Sequence, residues 1–138
     1  MSDLVVFMVH YYCQVFPFFT IRIGLITNGP SRSQWEKIFH LDAEGLFDLI
    51  LVSGDLTCEK PEPAIFHLAC HQLNVSPDQC IMVGDRLDTD IAGGRTAGLA
   101  ATVWIPLTDG AEVPLQTAPP DFILKHVLDL ASLFGIIL

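Results

Sequence analysis

The chain predicts an α/β fold: a three-layer α/β/α sandwich built on a parallel, Rossmann-like sheet. Short apolar runs such as Phe47–Val52 and Cys80–Val83 lack polar alternation, as expected of parallel strands covered on both faces. Segments with helical start and stop residues separate these runs. The strand–helix alternation persists along the chain, which favours a parallel sheet over a series of hairpins.

Taken in order, Leu4–Val9 has the length and composition of a buried strand, and Tyr11–Phe19 shows no clear period. Arg22–Thr27 is the next strand and ends in the turn Asn28-Gly29-Pro30. Ser31 or Ser33 is suited to cap a helix running to about His40, with Trp35, Ile38 and Phe39 on one face. After the strand Phe47–Val52, Pro63 suits the first turn of a helix to about Leu73. Ser76-Pro77-Asp78 is a turn, Cys80–Val83 a strand, and Thr89 to about Ala97 a helix stopped by Gly98. Ala101–Ile105 is a strand and 106–120 a polar, Pro-containing loop. Asp121–Leu124 is a last short strand and His126–Phe134 a closing helix.

Composition narrows the function. The 138 residues suffice for one domain, and 51% hydrophobic content excludes a disordered chain. Sixteen acidic residues against seven basic ones give a formal charge of −9 with no basic stripe, which disfavours nucleic acid and anionic membranes as partners. The apolar opening is interrupted by His10, Gln14 and Pro17 and has neither a positive start nor a small-residue cleavage site. A cytoplasmic location is the expectation. Cys13, Cys58, Cys70 and Cys80 form no Cys-x-x-Cys pair and read as reduced thiols.

Three stations carry chemistry. Thr27-Asn28-Gly29 places a hydroxyl and backbone N–H groups at a strand end, a nest suited to phosphate, although Asn-Gly is also a common turn. Lys60, stiffened by Pro61 and Pro63, can neutralise a phosphoryl oxygen; its ordinary alternative is a solvated surface lysine. Asp85 and Asp90 offer hard oxygens of the kind Mg²⁺ takes, while Asp90 and Asp88 also read as acids at a helix start. Gly84 lets the backbone approach closely. Hydroxyl, lysine and acid in that order suit magnesium-dependent phosphoryl transfer. His67, Cys70 and His71 share one helix face, for which a partly exposed surface is the simpler reading than a metal. A receiver domain would require its acids before its threonine and lysine, and the order here is the reverse.

These stations resemble the motifs of the haloacid dehalogenase superfamily of phosphatases, including those of its N-acylneuraminate-9-phosphatase branch. Leu25-Ile26-Thr27-Asn28-Gly29 is similar to the second motif, Lys60 in Glu59-Lys60-Pro61 to the third, and Gly84-Asp85 through Asp90 to the fourth. The likeness extends to Gln34-x-Glu36-Lys37-Ile38, Pro63-x-Ile65-Phe66, Met82-Val83 and Ala101-Thr102-Val103-Trp104-Ile105, and runs from about Ile23 to about Phe134. The resemblance implies an aspartyl-phosphate mechanism acting on a phosphorylated small molecule such as a sugar phosphate. It implies that Thr27, Asn28 and Lys60 hold the phosphoryl group, that Lys60 also stabilises the intermediate, and that Asp85 binds Mg²⁺. Asp90 would support the metal site from one layer behind the ligands.

The family's Asp-x-Asp first motif and the cap after it belong before Thr27, and the 26 residues there contain no Asp-x-Asp. Pro30 also stands where an acid is expected after Thr-Asn-Gly. The expected organisation is therefore an unrelated apolar leader, 1–20, followed by the C-terminal part of a capless core, 21–138. Such a chain should be inactive or very weakly active and bind Mg²⁺ weakly. The alternative is a non-catalytic phosphate-binding or interaction module. The leader strand Leu4–Val9 is expected to fill the central slot of the sheet in the parallel sense, with His10 and Tyr12 near the catalytic rim.

Overall fold

The computed structural model describes residues 6–11 and 20–133. Among the described residues six strands form one sheet: β1 (Val6–Tyr11), β2 (Thr20–Thr27), β3 (Leu49–Val52), β4 (Cys80–Gly84), β5 (Ala101–Trp104) and β6 (Phe122–Ile123). Their order is β3-β2-β1-β4-β5-β6. The helices are α1 (Ser31–His40), α2 (Pro63–Leu73), α3 (Ala92–Thr96) and α4 (Asp129–Leu133).

The sheet is parallel at the pairs β2–β3, β4–β5 and β5–β6. Its centre differs from expectation. The leader strand does lie between β2 and β4, but it runs antiparallel to both. The reason is the connection: residues 12–19 suffice to return an antiparallel neighbour, whereas a parallel crossover takes a dozen or more. The reversal carries His10 to the end of the sheet opposite the Thr27 rim, where it pairs with Ile21. Tyr12 and Cys13 lie outside the described residues.

Alternate residues of the strands face two different helix layers, as the pleat requires. Ile26, Leu51 and Met82 pack with Ile65, Phe66, Ala69, Cys70 and Leu73 of α2. Leu25 and Val52 on the other face meet Ile38 of α1, and Ile81, Val83 and Val103 meet Leu130 of α4. Strand β4 is buried over its whole length, which explains its unbroken apolar sequence. The buried thiols Cys70 and Cys80 sit 3.6 Å apart between α2 and β4. Their contact lowers the Cys70 pKa and, with burial, raises that of Cys80.

Helix boundaries follow local chemistry. Pro63 starts α2, and Asn74, in a left-handed conformation, ends it. Gly98 closes α3 at φ +75°, with its N–H on the Arg95 carbonyl. Neither expected serine caps α1: Pro30 is its N-cap, no side chain makes a cap hydrogen bond, and Ser33 donates to the Pro30 carbonyl. The helix expected from Thr89 begins instead as a π-helical turn, Leu87–Ile91, that leads into α3. The closing helix starts at Asp129 rather than His126.

Candidate functional site

The C-terminal ends of β2 and β4 define one rim. Leu25 and Val83 both stand across from Val6 of the intervening strand. Thr27 and Asp85, each two residues further on, are therefore level with one another. Two strand spacings of about 4.8 Å put their strands roughly 10 Å apart, a gap a bound phosphoryl group and a cation can fill.

Each residue of Thr27-Asn28-Gly29 is tied to a different part of the site. Thr27 is buried and its hydroxyl donates to Gln34 Oε1 at 3.0 Å. Gln34, in the first turn of α1, is itself buried. Asn28 makes a two-point clamp: its Nδ2 donates to the Lys60 carbonyl at 2.8 Å, and its Oδ1 accepts from the Lys60 N–H at 2.9 Å. The Gly29 N–H donates to Ser53 Oγ and its carbonyl accepts from the Gly54 N–H, each at 3.0 Å. Gly54 must be glycine on spatial grounds, because a Cβ there would stand 2.3 Å from the Ser31 nitrogen.

Lys60 is the residue whose surroundings depart most from the ordinary alternative. It is not a solvated surface lysine; its side chain is 4% exposed, and Nζ meets Asp90 Oδ1 at 2.9 Å. Asp90 is fully buried. Its Oδ2 accepts the Arg86 backbone N–H at 3.0 Å, so the same carboxylate holds the lysine and the turn after Asp85. Gly84 makes this possible: a Cβ at that position would stand 2.3 Å from Asp90 Oδ2. The peptide bond between Lys60 and Pro61 is cis.

Asp85 leaves β4 at the rim, half-buried. Trp104 Nε1 donates to its backbone carbonyl at 2.9 Å, which anchors the residue from β5. Asp88 stands outside this constellation. Arg86 grips it through two hydrogen bonds on an exposed surface, and that contact lowers the Asp88 pKa and raises that of Arg86. The His67-Cys70-His71 face does not converge: His67 Nε2 meets the Ala97 carbonyl, and Cys70 turns inward to Cys80. Among the described residues no three His, Cys, Asp or Glu side chains gather as a metal site.

The donor set suits a hard cation only in part. Asp85 brings one carboxylate to the strand end, and the Asp90 carboxylate is engaged by Lys60 and the Arg86 N–H. One or two carboxylates completed by phosphate and water is how Mg²⁺ is ordinarily held. Gln34 and Trp104 are additions to the sequence-predicted set. Both lay within the matching segments, and a glutamine in the first turn of a helix facing a strand end was the available signal for Gln34.

A family model described as haloacid dehalogenase-like hydrolase matches residues 20–98. N-acylneuraminate-9-phosphatase from Rattus norvegicus is 46% identical over 114 residues, covering 82% of this chain and 45% of the relative. Glyceraldehyde 3-phosphate phosphatase from Pyrococcus furiosus is 41% identical over 93 residues, 67% of this chain and 38% of the relative. The chain thus spans about half, or less, of the curated relatives it matches. Among solved structures, the magnesium-bound HAD-hydrolase YfnB from Bacillus subtilis superposes with a TM-score of 0.73 at 26% identity, covering 82% of this chain and 49% of that one. A HAD phosphatase from Thermococcus onnurineus gives 0.70 at 29% identity, with 81% and 49% covered.

Proposed function

Because the chain belongs to the haloacid dehalogenase-like hydrolases, we infer that its rim is the phosphoryl-holding half of a phosphomonoesterase site. The buried Lys60–Asp90 pair carries this reading. A buried ion pair is a poor source of stability, since desolvation offsets most of the attraction. A lysine held in that state at a ligand-binding strand end is better explained by work on an anion.

In this reading Thr27 and the backbone N–H of Asn28 receive the phosphoryl oxygens, and Lys60 neutralises them. The Asn28 side chain acts by fixing the lysine loop. Asp85 would hold Mg²⁺, which would neutralise phosphoryl charge when bound. Asp90 orients Lys60 and the Asp85–Arg86 turn rather than ligating the metal. The names of the relatives support a phosphorylated small molecule, such as an N-acylneuraminate 9-phosphate or another sugar phosphate, as the ligand.

Residues 1–26 of the sequence contain no Asp-x-Asp. The residues in hand bind and orient a phosphoryl group but supply no carboxylate at that position to attack it. This chain should therefore bind phosphate and turn over slowly or not at all. Calorimetric titration with inorganic phosphate tests binding, and a phosphomonoesterase assay with Mg²⁺ tests turnover, with Asp85→Asn as the control for contaminating phosphatase. Absence of phosphate binding would refute the reading. Turnover near 10 s⁻¹, the median for enzymes, would refute the expected inactivity.

A further inference from the structure

The contact between Thr27 and Gln34 raises a question of proton direction. A threonine hydroxyl has one proton and two lone pairs. In this structure that proton goes to Gln34 Oε1, 3.0 Å away. Thr27 then offers an approaching phosphoryl oxygen only lone pairs, and two acceptors facing one another make no hydrogen bond. Both partners are shielded from water, Thr27 at 2% and Gln34 at 6% exposure, so water is poorly placed to correct the mismatch.

The glutamine can correct it. Its terminal torsion joins an sp³ to an sp² carbon and is broad rather than confined to three wells. Turning the amide over exchanges Oε1 for Nε2. An Nε2–H then donates to Thr27 Oγ1, and the threonine proton is released toward the anion. Space for the amide comes from Gly29, where a Cβ would stand 2.5 Å from Nε2. We propose that Gln34 is a positioning residue that sets the direction of the Thr27 hydroxyl proton, toward Gln34 in the resting site and toward the phosphoryl oxygen when the amide turns. The inference rests on reading Thr27 as a phosphoryl-binding residue.

The test is a set of calorimetric titrations of the full chain with inorganic phosphate, on wild type, Q34E, Q34M, T27V and the T27V/Q34E double variant. At neutral pH the carboxylate introduced by Q34E accepts but does not donate, so it retains the threonine proton. Q34E should weaken phosphate binding about tenfold or more, because a hydrogen bond to a charged group is lost. In the T27V background the same change should cost only a few-fold, from charge repulsion alone. Q34M leaves the threonine proton free and should stay within about threefold of wild type. A pH series with sulfate, an anion of constant charge between about pH 5 and 7, adds a second readout. The Q34E affinity should rise more steeply than that of wild type as pH falls, because the new carboxyl gains a proton in addition to the histidines that both proteins share.

Equal losses from Q34E with and without the Thr27 hydroxyl would reduce the effect to charge and overturn the inference. A Q34M loss as large as that of Q34E would reduce it to packing and also overturn it. Failure of wild type to bind phosphate would overturn the phosphoryl-site reading and this inference with it.

Discussion

Replacing Lys60 by methionine keeps most of the side-chain volume and removes the charge that faces Asp90. The lysine is 4% exposed and the carboxylate not at all, so water cannot take the place of the ammonium without rearrangement. Removing one partner of a buried pair costs about 3–5 kcal/mol, because the other charge stays buried. At about 3–4 °C of melting temperature per kcal/mol for a domain of this size, the fall is roughly 10–20 °C. The pairing itself is a separate matter. Lys60→Met combined with Asp90→Asn removes both charges while an amide oxygen still accepts the Arg86 N–H, and should recover most of the loss. Thermal melting followed by circular dichroism reads both variants, with urea unfolding as a check on two-state behaviour. A Lys60→Met melt within about 2 °C of wild type, against the expected 10–20 °C, would mean the pair is hydrated and the argument from burial is wrong. A double variant no more stable than Lys60→Met would show that the loss came from packing.

Further outcomes follow from the same contacts. Gly84→Ala should destabilise by about 1–3 kcal/mol, the usual cost of overpacking, and weaken phosphate binding because Asp90 must move; unchanged urea unfolding and phosphate titration would contradict this. Trp104→Phe removes the hydrogen bond to the Asp85 carbonyl and should cost about 0.5–1.5 kcal/mol in urea unfolding, with a larger proportional loss of Mg²⁺-dependent phosphate binding than of stability. The Asp55 carboxyl is held below its usual range by hydrogen bonds from Ser31 and Trp35, and Asp88 likewise by Arg86. A lowered native pKa gives stability that is present above the unfolded value near pH 4 and is lost as pH falls through the native one. The Asp55→Asn/Asp88→Asn variant should therefore show a shallower drop in melting temperature between about pH 4 and 2, and an identical slope would count against both assignments. Deleting residues 1–11 removes a strand that pairs on both sides, so the remaining chain should aggregate on expression; a monomer with an unchanged melt would show that β1 is dispensable.

What the sequence disclosed and what it withheld have physical causes. The bounds of α2 were legible because a proline and the end of the apolar pattern at Leu73 mark them locally. The interior of β4 was legible because a strand buried on both faces has nowhere to put a polar residue. The direction of β1 was not, since an apolar run looks alike in either sense and the pairing is decided by the length of the connection. Thr27, Lys60 and Asp85 were visible as residue types at strand and helix ends. The burial of Lys60 was hidden because it depends on Asp90, thirty residues away in the chain. Gln34 escaped for a related reason: its role arises only when α1 folds back over the end of β2.

The clamp between Asn28 and Lys60 has a consequence for how this site is dissected by experiment. One amide closes a ring of two hydrogen bonds with the backbone of a residue 32 positions later, which ties the two loops together. An alanine at Asn28 would release the lysine loop as well as remove a side chain. The resulting weak binding would look like a lost ligand contact, although the side chain need never touch the ligand. If the rim binds phosphate as proposed, alanine scanning would credit Asn28 with affinity contributed by Lys60, and the two residues would score as strongly non-additive. Hydrogen exchange at the Lys60 amide separates the cases, because that N–H loses protection when the clamp opens and keeps it when only a ligand contact is gone.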